Sequence, residues 1–172
     1  KAAFRDRETR VADADDQVAG EGATNSARTT TQDPANLSAQ LMMHADQITQ
    51  KGEGKVVAVV DTGVDMTHPA FAGALGGTPA LSADKVASLT PQLGDGKTGT
   101  YVSEKFPFAY DYADNDPDAS PTGQAGSHGT HVAGIAAGNA GEIVGIAPDA
   151  QIIVAKVARS VEGDITDSGL LA

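Results

Sequence analysis

The sequence predicts an α/β fold built on a mostly parallel sheet. Two apolar runs without polar alternation, Lys55 to Val60 and Gln151 to Val157, suit strands covered on both faces. Between them Ser127 to about Gly138 is a helical stretch of small residues, and Thr166 to Ala172 reads as the start of another helix. Strand, helix, strand and helix in that order fit parallel strands joined by right-handed crossovers.

At 172 residues, 40% of them hydrophobic, the chain is long enough for one domain with its own core. Residues 1 to 35 hold only Phe4, Val11 and Val18 as large apolar side chains, too few to offset the entropy of ordering, and are expected to form a flexible arm. The remainder, 36 to 172, is expected to carry the fold. Leu37, Leu41, Ala45 and Ile48 recur at the spacing of one helix face, with Asn36 or Ser38 as the cap. Gly52 and Gly54 end that helix before the first strand.

Pro69 to about Thr100 is rich in Gly, Ala, Ser, Thr and Pro and shows little periodicity beyond Asp84 to Leu89. An insertion over about 73 to 108, on the surface, is the expectation. Phe106-Pro107-Phe108-Ala109-Tyr110 then restores an extended segment that Pro107 confines to a sheet edge. An acidic loop from Asp111 to Gly126 follows, and Ser127 is the expected N-cap of the central helix.

The bulk chemistry narrows the function. A formal charge of -11 argues against nucleic acid or an anionic membrane as partner, since both repel such a surface. No cysteine means no disulfide scaffold, thiol nucleophile or thiolate metal site. No apolar run approaches the roughly 18 residues of a membrane-spanning helix. The chain begins at Lys1 without a Met, from which an upstream segment is expected.

Asp61 stands where the first strand ends in Thr62-Gly63, the side of an open α/β sheet at which functional groups gather. His128 opens the central helix. A carboxylate hydrogen-bonded to one imidazole nitrogen fixes the tautomer and stabilises the imidazolium formed when the other nitrogen takes a proton. Taken singly, Asp61 is an ordinary turn former and His128 an ordinary polar residue.

The joint phrases change this. Asp61-Thr62-Gly63 after a Val-rich strand, His128-Gly129-Thr130-His131-Val132-Ala133-Gly134, and Val144-Gly145-Ile146-Ala147-Pro148 leading to Ala155-Lys156-Val157 resemble the subtilisin-like (S8) serine peptidases from Leu37 to Ala172. The long stretch between Asp61 and His128, and Phe106 to Asn115, resemble the Gram-positive cell-envelope proteinases, the lactocepin and C5a-peptidase group. The resemblance implies a subtilisin-like three-layer sandwich, incomplete in this chain. It also implies an Asp-His-Ser endopeptidase acting on peptide or protein substrates, secreted or wall-associated in a Gram-positive bacterium. Asp61 and His128 take the catalytic positions. The serine and the oxyanion Asn belong to phrases expected beyond Ala172, on further chain or a companion polypeptide, so the piece alone is expected to be inactive. The alternative is a non-catalytic truncated or pseudoprotease-like module that binds peptide or a partner protein.

Other residues are assigned plainer roles. Ser127 is taken up as a cap and Ser168 belongs to a helix start. His131 is expected to be a packed structural residue, not a zinc ligand, since no further ligand accompanies the two histidines. Asp65 and His68 are expected to serve turns and packing, and Ala133, Gly134, Ala136 and Ala137 to bring the helix close to the sheet. Asp114, Asp116 and Asp118 begin like a calcium loop, but Ala119 and Ala125 stand where its Gly and Glu belong, so a solvated acidic loop is expected. Ala70 follows His68-Pro69 where many of the peptidases the chain resembles have a calcium-binding Asp. No cofactor is required, and calcium is admitted only as a structural ion.

Overall fold

A computed structural model of the chain describes residues 8–9, 37–93, 99–121, 126–141, 143–159 and 165–171. In chain order the elements are β1 (Glu8–Thr9), α1 (Leu37–Met42), β2 (Val56–Asp61), α2 (Ala83–Leu89), β3 (Phe108–Asp111), α3 (His128–Ala137), β4 (Asn139–Ala140), β5 (Ile143–Val144), β6 (Gln151–Lys156), β7 (Ile165–Thr166) and α4 (Asp167–Leu171). Short 3₁₀ turns lie at Ala45–Gln47, Pro69–Phe71 and Thr90–Leu93.

The central sheet has the order β2-β6-β3, and both pairings are parallel. Val59 and Ala109 flank Val154 in register, and with Ile152 they meet Ala133 and Ala137 of α3 in one buried cluster that includes Phe71 and Phe106. Alternate residues of a strand face opposite sides. Phe108 and Ile153, next in register, therefore point away from α3, and with Val86, Leu89 and Leu93 they line a cavity. Helix α2 thus covers the second face beside β3. The result is three layers, helix, parallel sheet and helix.

Differences from the sequence reading have physical causes. β2 is covered on one face only: among the described residues nothing packs over Val60, which is 52% exposed. The first helix stops at Met42, because His44 adopts a left-handed backbone (φ 55°) and only a 3₁₀ turn follows. Leu41 and Met42 stay open, Met42 at 84%, while Gln40 Nε2 donates to the Val144 carbonyl. The stretch expected to be an insertion contains a capped helix: Ser82 Oγ accepts the Lys85 N–H, and Val86 is buried. β3 is an edge of the described sheet and starts directly after Pro107, as that proline requires. Of residues 1 to 35 only Glu8–Thr9 is described, paired antiparallel with Ile165–Thr166; the rest of the expected arm lies outside the described residues.

Candidate active site

The site forms where β2 ends beneath the start of α3. Gly63 adopts φ 101°, a conformation open to glycine at little cost, and turns the chain sharply after Thr62. That turn is hemmed in: a Cβ on Gly63 would stand 2.7 Å from both the Ala119 and Ser120 carbonyl oxygens, and Val64 N–H donates to Ala119 O at 3.0 Å. The acidic loop therefore buttresses the segment that presents Asp61.

Helix α3 is fastened over this turn. Ser127 does not cap it through its side chain and has a helical backbone (φ -87°, ψ -2°) instead of the extended one usual at an N-cap. Thr62 replaces it, its Oγ1 accepting the buried Gly129 N–H at 3.1 Å. One residue on, Thr130 Oγ1 accepts the Asp65 N–H at 2.9 Å. The expected stripe of small residues is present, with Ala133 and Ala137 fully buried, but the close approach is demanded at Gly129. A Cβ there would collide with the Gly63 carbonyl oxygen, whereas one on Gly134 would find ordinary contact with Ile143 at 3.6 Å.

This construction brings Asp61 and His128 together. His128 Nδ1 lies 2.8 Å from Asp61 Oδ1 and 3.0 Å from Oδ2, and Thr62 N–H donates to Oδ1 at 2.7 Å. A carboxylate only accepts, so the Nδ1 proton is on the imidazole and Nε2 is the basic nitrogen. The side chains are 14% exposed for Asp61 and 31% for His128, a shielded carboxylate behind a ring that still meets solvent. Such an arrangement can serve chemically as a base with its orienter.

The neighbouring residues fall out as follows. Asp65 Oδ1 accepts both the N–H and the hydroxyl of Thr67, which holds its carboxyl below the usual range. His68 Nδ1 accepts the Ala70 N–H and its ring meets Phe71 edge-on at 6.3 Å, so both are turn and packing residues. His131 is exposed and not packed. It lies about 200° around the helix from Ala133, away from the sheet. In the acidic loop Asp116 and Asp118 accept the N–H groups of Asp118 and Ser120, and the bonds to Ser120 lower the Asp118 pKa. No cluster of three metal-ligating side chains occurs among the described residues.

Two buried cations escaped the sequence reading. Lys156 Nζ lies 2.8 Å from Asp111 Oδ2, with side chains 1% and 0% exposed. Lys105 Nζ donates to the carbonyls of Pro148 (2.7 Å) and Ala150 (2.8 Å), and burial pulls its pKa down to about 8 against the opposing attraction of Asp149. A lysine inside an apolar strand was itself a signal, because a buried ammonium requires partners.

Residues 52–170 match the subtilase family of peptidases, S8. The chain belongs to the subtilase family. Among related subtilases, the PII-type proteinase of Lactococcus lactis subsp. cremoris is 35% identical over 134 residues, which cover 72% of this chain and 7% of that protein. The C5a peptidase of Streptococcus pyogenes serotype M6 is 33% identical over 115 residues (62% and 9%), and the minor extracellular protease Vpr of Bacillus subtilis 35% over 112 (62% and 10%). The lactococcal proteinase and the C5a peptidase are of the group that the Phe106 to Asn115 phrase resembles. The chain thus spans less than a tenth of the length of the lactococcal relative. Among solved structures, the Clostridium perfringens CspB protease aligns at TM-score 0.42 and 22% identity, over 72% of this chain and 25% of that one. For this subtilase the described layers are a partial subtilisin-like α/β fold, with its parallel sheet.

Proposed function

We propose that this subtilase segment supplies the acid and base of a serine endopeptidase, His128 as general base and Asp61 as its orienter. What supports the reading most is the His128 Nδ1 contact with both oxygens of a shielded Asp61, which leaves Nε2 as the proton acceptor. In the reaction Nε2 takes the proton of a serine hydroxyl as it attacks the scissile carbonyl, then returns it to the leaving amine. Asp61 holds the tautomer and stabilises the imidazolium. The serine and the donors of the oxyanion hole are supplied by further polypeptide, and side chains carry the chemistry without a cofactor. The substrates are peptides or proteins, and the setting is outside a Gram-positive cell, as the extracellular Bacillus relative suggests.

The test is active-site labelling of the complete protein with a fluorophosphonate probe. A serine outside residues 1–172 is labelled, and His128→Ala abolishes both labelling and peptide turnover. Turnover retained in His128→Ala overturns the reading.

A further inference from the structure

Asp61, Lys156 and Asp111 end three neighbouring strands in one row: Lys156 is the register partner of Asp61 on one side and of Asp111 on the other. Register partners in a parallel sheet point to the same face, with strands about 4.8 Å apart. A buried lysine thus stands in the sheet between two aspartates, one of which holds His128. Asp111 takes it, at 2.8 Å. Asp111 is itself fixed, its Oδ1 accepting the Ala113 N–H at 2.9 Å and the Asp114 N–H at 3.0 Å. The backbone repeats the arrangement, Val157 N–H donating to Asp61 O and Tyr112 N–H to Lys156 O.

We propose that Asp111 is a positioning residue that holds the Lys156 ammonium away from Asp61, so that the Asp61 carboxylate stays committed to His128. Without Asp111 the buried cation has one register-matched carboxylate left, Asp61. Pairing there competes with His128 and weakens the stabilisation of the imidazolium. Charged groups facing Lys156 include Asp61 and Asp111 from the adjoining strands and Asp118 from the acidic loop, where Asp114 also lies; His128 faces Asp61 from α3. The inference rests on His128 acting as the base.

The test is the pH profile of kcat/KM in the complete protein. Asp111→Asn keeps the acceptor for Ala113 and Asp114 while removing the charge. It is expected to lower kcat by about 10–100-fold, by analogy with loss of an outer-shell partner at a metal site, with KM little changed and the acidic limb moved to lower pH. The double variant Asp111→Asn/Lys156→Met removes the competing cation and restores both rate and limb. A pair that merely supports the fold alters the amount of active enzyme and leaves the limb in place, so an unmoved limb, or no recovery in the double variant, overturns the proposal. Should Asp111→Asn fail to fold, Lys156→Met is read in its place. It leaves the Asp111 charge uncompensated two strands from Asp61 and moves the limb upward, and an unmoved limb again overturns the proposal. His128→Ala, assayed alongside, separates this outcome from failure of the general-base reading, since only that failure leaves His128→Ala active.

Discussion

Thr62 and Gly129 are joined by a hydrogen bond that closes the site, the Thr62 hydroxyl oxygen accepting the Gly129 N–H at 3.1 Å. Each residue is adjacent in sequence to a member of the acid-base pair. The bond therefore sets the spacing of Asp61 and His128 through the backbone, independently of their own contact.

Thr62→Val, which keeps the shape and deletes the acceptor, leaves a buried N–H unsatisfied. The cost is about 1–3 kcal/mol, read as a lower urea midpoint of the complete protein. Turnover falls with it, because the first turn of α3 carries His128.

Gly129→Ala is more severe. The new Cβ collides with the Gly63 carbonyl oxygen and comes within 3.1 Å of Asp61 Cβ, while Gly63 is held from behind by Ala119 and Ser120. With no direction in which to yield, the strands and α3 must part, a strain of about 1–3 kcal/mol or more. Thermal unfolding and the Asp61–His128 separation in a crystal structure of the variant check it.

In the complete protein His128→Ala abolishes turnover, and Asp61→Asn lowers kcat by about 10⁴, the cost of the wrong imidazole tautomer, with substrate affinity little changed. Steady-state kinetics on a peptide substrate separate the two terms. A fall confined to affinity places Asp61 outside the chemistry.

What was legible in the sequence was local. The apolar runs of β2 and β6 and the small-residue helix α3 declare themselves by composition, and Pro107 placed β3 at an edge. Contacts between distant segments were not legible. Thr62 takes over the cap expected of Ser127, and Lys156 finds Asp111, only once β2, β3 and β6 lie side by side. The helix expected from Leu37 to Ile48 was read too long because its apolar spacing continues past His44, and no Gly or Pro marks the left-handed stop there. That spacing predicted a packed face, yet among the described residues nothing covers Leu41, 49% exposed, or Ile48, 44% exposed.

Lys105 makes stability depend on pH in a window that the acid-base pair does not set. Burial lowers its pKa from the ordinary 10.5 to about 8 in the folded chain. Between those values the unfolded chain carries a proton that the folded chain lacks, so stability rises as pH is raised through the window. Below about 8 both states are charged, and the desolvation penalty is present in full. The neutral amine still has two N–H groups for the Pro148 and Ala150 carbonyls, so deprotonation removes the penalty without breaking either bond. Lys105→Met lacks the titration. It is expected to be less stable at high pH, where those carbonyls lose their donor, and to show a smaller rise in urea midpoint between pH 7.5 and 10 than the unsubstituted protein. Equal slopes for the two proteins mean that Lys105 titrates normally in the fold.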